Sequence, residues 1–175
     1  MDLSKIAIGS NPPHEVNVIV EVPVGSEPVK YELDKASGAL FVDRILHTAM
    51  RYPCNYGFVP HTLAEDGDPV DVMIANRTPI MPGAVVPCRP IGVLEMEDEA
   101  GLDAKILALP ADRLHPFHKG IASCHDLPAI TLEQIAHFFQ HYKDLESAKW
   151  TRIIGWKDAD TACAIIERAI AAAQA

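Results

Sequence analysis

Between Val16 and Pro23 apolar and polar positions alternate, with Val16, Val18, Val20 and Val22 on one face and Glu21 on the other. Val29 to Asp34 alternates in the same way: Lys30 and Glu32 share a face, and Val29, Tyr31 and Leu33 lie opposite. Strand-like runs follow from Gly38 to Leu46, Val70 to Ala75, Ala84 to Met96 and Ala104 to Leu109, separated by turns rich in Gly and Pro. Such close spacing predicts a small antiparallel barrel or sandwich. From Thr131 the period changes. Thr131 and Gln134 form a capping-box pattern, and Ile135, Phe138, Phe139 and Tyr142 recur at helical spacing, giving one apolar face. A second helix, rich in Ala and Ile, is predicted from about Asp160 to Ala173. The pattern therefore predicts an α+β fold, a β-barrel with two C-terminal helices packed on it. With no repeat or linker, residues 1–175 read as a single domain.

Composition narrows the class. Hydrophobic residues make up 49% and charged ones 22%, as in an ordinary globular chain. No run is long enough to span a bilayer, and the N-terminus lacks the features of a signal peptide, so a soluble cytoplasmic protein is expected. Cys54, Cys88, Cys124 and Cys163 are widely spaced and read as reduced thiols. The formal net charge of −9 and an aromatic content of 6% argue against a nucleic-acid partner.

The chemistry concentrates in acidic clusters. In E-D-G-D-P-V-D, Asp66, Asp68 and Asp71 repel one another, and Gly67 and Pro69 break regular pairing so that the backbone can bend them toward one point. Hard divalent cations take such oxygen ligands. An EF-hand fails, because Val70, Asp71 and Arg77 stand where that loop needs a ligand, a Gly and a Glu. A D-x-D phosphatase would need a hydrophobic strand before Asp66, where H-T-L-A-E stands instead. A solvated acidic turn and a cation site both satisfy this loop taken alone. A second cluster places Asp98 and Asp103 either side of E-A-G-L, where a four-residue hairpin loop would make them facing partners with Lys105 close by. Lys30, Arg44, Tyr52, Tyr56, Tyr142 and Lys143 each have a bland surface or core-edge reading. In combination with carboxylate-held cations they make a receptor for phosphate oxygens.

The run D-G-D-P-V-D-V from Asp66 resembles the signature of the soluble family I inorganic pyrophosphatases, complete at every position. The resemblance continues through the segments beginning at Val29, Ala49, Pro82, Asp98 and Ala136, nearly the whole chain. The short termini resemble the prokaryotic form. What the resemblance implies is an OB-like five-stranded antiparallel barrel that hydrolyses inorganic pyrophosphate to two orthophosphates with Mg²⁺, Mn²⁺ or Zn²⁺ being alternatives. It further implies that Asp66, Asp71 and Asp103 hold the tightest ion, that Asp71 bridges to a second, and that Asp98 and Asp103 hold ions arriving with substrate. Asp68 matches the general base that takes a proton from the attacking water. Lys30, Arg44, Tyr56, Lys105, Tyr142 and Lys143 match phosphate-binding and supporting positions. Glu21 and Glu32 match outer acidic groups, and Tyr52 a supporting position. A homohexamer, a dimer of trimers, is implied as well, with His137 and His141 near a subunit contact. Their i, i+4 spacing can bind zinc, but Phe138 replaces the Glu a zinc protease needs, so they read as structural. The tract from His115 to Asp126 carries no function by this resemblance. Two rivals remain for assay: an OB-type nucleic-acid binder, and a calcium module that would leave Lys30, Arg44 and Lys143 unexplained.

Overall fold

A computed structural model describes all 175 residues. The strands are β1 (Val16–Val22), β2 (Val29–Leu33), β3 (Leu40–Ile45), β4 (Asn55–Phe58), β5 (Asp71–Ile74), β6 (Val85–Asp98), β7 (Gly101–Pro110) and β8 (Thr151–Lys157). The helices are α1 (Ala129–His141) and α2 (Ala159–Ala172). Strand order runs β1-β4-β5-β7-β6-β8, and a further pairing of β1 with β6 closes five strands into the expected barrel. Its seams are antiparallel except for β5 with β7, which run parallel. β8 adds to the free edge of β6, while β2 and β3 form a separate ribbon.

The central strands are apolar at nearly every position because both of their faces are covered. Val72, Ile74, Ile106 and Ala108 pack in a cluster with Ala162, Ile166 and Ala169 of α2. Their neighbours Met73, Leu107 and Leu109 point the other way, into a cluster with Leu132, Ile135, Phe138 and Phe139 of α1. Each large side chain fully buried here contributes roughly 1.5–3 kcal/mol. At Gly57 the β1 and β4 backbones approach so closely that an added Cβ would lie 1.9 Å from the Ile19 carbonyl oxygen.

Two local expectations are revised. α1 begins at Ala129 behind Pro128, whose fixed φ suits a helix entry, so Thr131 lies inside the first turn and the T-x-x-Q pattern makes no cap. A capping box does form just upstream, where Ser123 and Asp126 satisfy each other's backbone around a single 3-10 turn. α2 is capped by Asp158, whose side chain accepts from the Thr161 N–H at 2.9 Å. In the β6–β7 hairpin Asp98 pairs with Gly101 and Asp103 with Met96. The loop is therefore two residues long, and Asp98 and Asp103 are diagonal neighbours on one face.

Candidate active site

The barrel strands and the β2–β3 ribbon together wall a cleft of about 720 Å³. Every side chain the sequence points to for cation or phosphate binding lines it: Glu21 from β1; Lys30 and Glu32 from β2; Arg44 from β3; Tyr52 and Tyr56 from β4 and its approach; Asp66, Asp68 and Asp71 from the acidic turn and the start of β5; Asp98, Asp103 and Lys105 from the β6–β7 hairpin; Tyr142 and Lys143 from the end of α1. His137 and His141 do not. Tyr142 is the C-cap of α1 and Lys143 lies just beyond it. The acidic turn is set by Gly67, with φ at +91°, and by the Asp66 carboxylate accepting the Asp68 backbone N–H at 3.0 Å.

The floor is organised around Lys105, which is 3% exposed. Its ammonium donates to Asp71 and Asp103 at 2.9 Å and to the Tyr56 hydroxyl at 3.0 Å. Burial alone would lower its pKa, but Asp71, Tyr56 and Asp103 outweigh that and hold it well above the usual lysine value. Burial, reinforced by Asp71, also keeps the Tyr56 phenol un-ionised, so it acts as a hydrogen-bonding group.

The walls carry further pairs. Lys143 donates to Asp98 at 2.8 Å, and Lys30 lies 3.1 Å from Asp43 and 3.3 Å from Glu32. Arg44 donates to Glu146 at 3.2 Å, and its guanidinium sits 5.8 Å from the Tyr142 ring centre. Glu21 accepts the Leu33 N–H at 2.8 Å and makes no direct ion pair, with Lys30 only partly offsetting its burial. Burial, with a smaller push from Asp71, raises its pKa to about 7. Asp66 is also raised, first by burial and then by the charges of Asp71, Asp103 and Asp68.

Carboxylates thus outnumber basic groups in the cleft, and Asp66 and Glu21 bear the cost. Oxygen donors under mutual repulsion suit a hard divalent cation. Asp66, Asp71, Asp98 and Asp103 would hold it. As the side chains stand, no three acidic, His or Cys donors converge on one point, and the Lys105 ammonium stands between Asp71 and Asp103.

Sequence reasoning missed Asp34, Lys35, Asp43 and Glu146. Lys35 reaches within 3.5 Å of Asp68 from the turn after β2. Asp43 lies inside the Gly38–Leu46 run directly before Arg44, so adjacency to a chosen basic residue was its only signal. Glu146 had none, because it meets Arg44 across 102 positions of chain.

A closed five-stranded barrel whose cleft interleaves carboxylates with Lys, Arg and Tyr defines an OB-like α+β protein built to hold a small, highly charged anion together with cations. The family model "Inorganic pyrophosphatase" matches residues 18–174. An inorganic pyrophosphatase of Caulobacter vibrioides is 65% identical over 170 residues, 97% of this chain and 96% of the relative. An inorganic phosphatase structure from Anaplasma phagocytophilum superposes with a TM-score of 0.96 at 53% identity, covering 98% of this chain and all of the other. The inorganic pyrophosphatase of Thermus thermophilus gives 0.94 at 40% identity over the full length of both. The chain belongs to the inorganic pyrophosphatase family, whose bacterial members it matches along nearly its whole length. It is therefore a hydrolase acting on inorganic pyrophosphate, and membership implies a divalent metal cofactor. No helix is long and apolar enough to cross a membrane.

Proposed function

We propose that the chain, acting as one cytoplasmic domain, hydrolyses pyrophosphate with Mg²⁺ by in-line attack of water, with Asp68 as the general base. The observation that carries this reading is the convergence of all the candidate cation- and phosphate-binding side chains on one cleft, although they come from segments between Glu21 and Lys143. Pyrophosphate is a polyanion and the cleft is rich in carboxylates, so the two meet only through cations. When bound, Mg²⁺ screens the phosphate oxygens and lowers the pKa of an attacking water toward neutrality. Asp66, Asp71, Asp98 and Asp103 hold the ions, and Glu21 and Glu32 add outer negative charge.

Asp68 lines the cleft with an exposed side chain and accepts the water proton as oxygen bonds to one phosphorus. The bridging P–O bond breaks opposite the incoming oxygen. The charge developing on the departing phosphate is met by Lys30, Arg44, Tyr142 and Lys143. Lys105 and Tyr56 orient oxygens at the floor, and Tyr52 supports Tyr56 by ring contact at 5.4 Å. No Ser, Cys or His lines the cleft, so the water attacks directly.

Orthophosphate release from pyrophosphate, measured with Mg²⁺, with Mn²⁺ or Zn²⁺ in its place, and with excess chelator, tests this. Release should need a divalent ion and be fastest with Mg²⁺; undiminished release in chelator would defeat the metal assignment. We further propose a homohexamer with His137 and His141 at a contact between subunits, supported by their adjacent rings on α1 with centres 4.6 Å apart. Sedimentation at neutral pH giving a monomer would reject it.

A further inference from the structure

On the outer face of α2, Cys163 and His14 bring two metal-binding donors together at a site that shares no residue with the cleft. The Cys163 sulfur lies 3.7 Å from His14 Nδ1. Cys163 is half-buried and His14 exposed, so the pair opens to solvent. The loop carrying His14 is fixed by reciprocal backbone hydrogen bonds between Asn11 and Glu15, at 3.3 and 2.8 Å, and by the Glu15–Arg113 ion pair. Asp160 and Glu167 flank Cys163 at i−3 and i+4, one stripe of the helix.

We propose that His14 and Cys163 form a second metal site for a borderline-soft divalent cation such as Zn²⁺, with Asp160 or Glu167 and water completing four-fold coordination. Zn–S and Zn–N bonds of ~2.3 and ~2.0 Å at a tetrahedral angle separate the two donor atoms by ~3.5 Å, so the 3.7 Å found needs only a small adjustment. No third donor meets the pair as the side chains stand, so a flanking carboxylate reaches the ion by side-chain rotation.

The environment also argues against a reactive Cys–His dyad. Burial, followed by Asp160 and Glu167, raises the thiol pKa and keeps it protonated. The same carboxylates attract a cation. On binding, the thiol proton passes to solvent, the thiolate and the Nδ1 lone pair bind the ion, and the imidazole proton stays on Nε2. The cleft offers hard oxygen donors among lysines and Arg44 and no sulfur or imidazole donor, so the two sites select different cations.

Cobalt(II) titration of the full-length protein in excess Mg²⁺ tests this, because a thiolate–cobalt charge-transfer band in the near-ultraviolet cannot arise from the cleft. The expected result is a band saturating at one equivalent and displaced by Zn²⁺. It should vanish in Cys163→Ser. His14→Ala, an exposed change that spares the fold, should weaken cobalt binding by more than the ~10-fold that loss of even an outer metal partner costs. The double change Asp160→Asn, Glu167→Gln should weaken it less. No band in the parent protein, or an undiminished band in Cys163→Ser, would overturn the site.

Discussion

Lys105 and Lys35 both face carboxylates of the acidic turn and its strand, yet they sit in opposite physical regimes. Lys105 is enclosed at the floor, with Asp71 and Asp103 each at 2.9 Å and the Tyr56 hydroxyl completing its donors. Lys35 stands at the rim, 3.5 Å from Asp68, with side chains 53% and 69% exposed. At the floor, charges are desolvated and pairing is a condition of folding. At the rim, water screens the pair and leaves Asp68 free to exchange protons. The cleft thus keeps its structural electrostatics below and its proposed proton chemistry above, and substitutions can pull the two apart.

The largest effect is expected at the rim and only on rate. Asp68→Asn should lower kcat by ~10²–10⁴, the usual contribution of a general base. KM should stay within a few-fold, and stability should shift by less than about 0.5 kcal/mol, as for an exposed position. Steady-state kinetics with a urea melt of the same preparation checks both. Turnover at the parent level would remove Asp68 from the mechanism.

Next comes the floor. Lys105→Met leaves Asp71 and Asp103 facing each other and the Tyr56 hydroxyl unpaired. Losing one partner of a buried pair costs about 3–5 kcal/mol, and partial hydration of the two carboxylates places this case near about 3 kcal/mol. Urea unfolding in chelator reads the loss, and added Mg²⁺ should recover part of it by standing in for the ammonium. A loss under about 1 kcal/mol would erase the distinction between floor and rim.

Glu21 sharpens the comparison, because it is as buried as Lys105, at 5% exposure, but no direct ion pair compensates its burial. Its folded pKa of about 7 lies above the ordinary 4.5. Between those values the folded state binds more protons than the unfolded, so this group's contribution to stability falls as pH rises through that window. Glu21→Gln keeps the acceptor for the Leu33 N–H and removes the titration. In chelator it should match the parent near pH 4 and exceed it at pH 8 by about 1–3 kcal/mol. Equal stability at both pH values would show that Glu21 ionises without penalty.

The floor and the rim were unequally legible in the sequence. Side chains that carry charge at motif positions, such as Asp66, Asp71 and Lys105, were found because residue type and spacing constrain them. Register was not: a two-residue and a four-residue turn both fit D-E-A-G-L-D, and only backbone pairing decides that Asp98 opposes Gly101. β8 escaped because it is half-exposed, contains Gly155 and lies between two helices, so its alternation looked like a connection. β4 is four residues long with Gly57 inside it, too short for a period to show. Glu146, the partner of Arg44, lies beyond any local pattern, and contacts of that separation become visible only when the chain is folded.

The smallest effect belongs to Lys35. If rim pairing is only a screened encounter, Lys35→Ala should change stability by less than about 0.5 kcal/mol. It should also leave the kcat of the parent in place, because Asp68 needs no fixed partner to accept a proton. KM for the magnesium–pyrophosphate complex should rise a few-fold, since one cation is lost from the mouth that draws in a polyanion, and added salt should shrink that rise. Kinetics at low and high ionic strength measures it. A fall in kcat that persists in high salt would instead mean that Lys35 holds Asp68 in its working position, and the rim would then be organised in the same way as the floor.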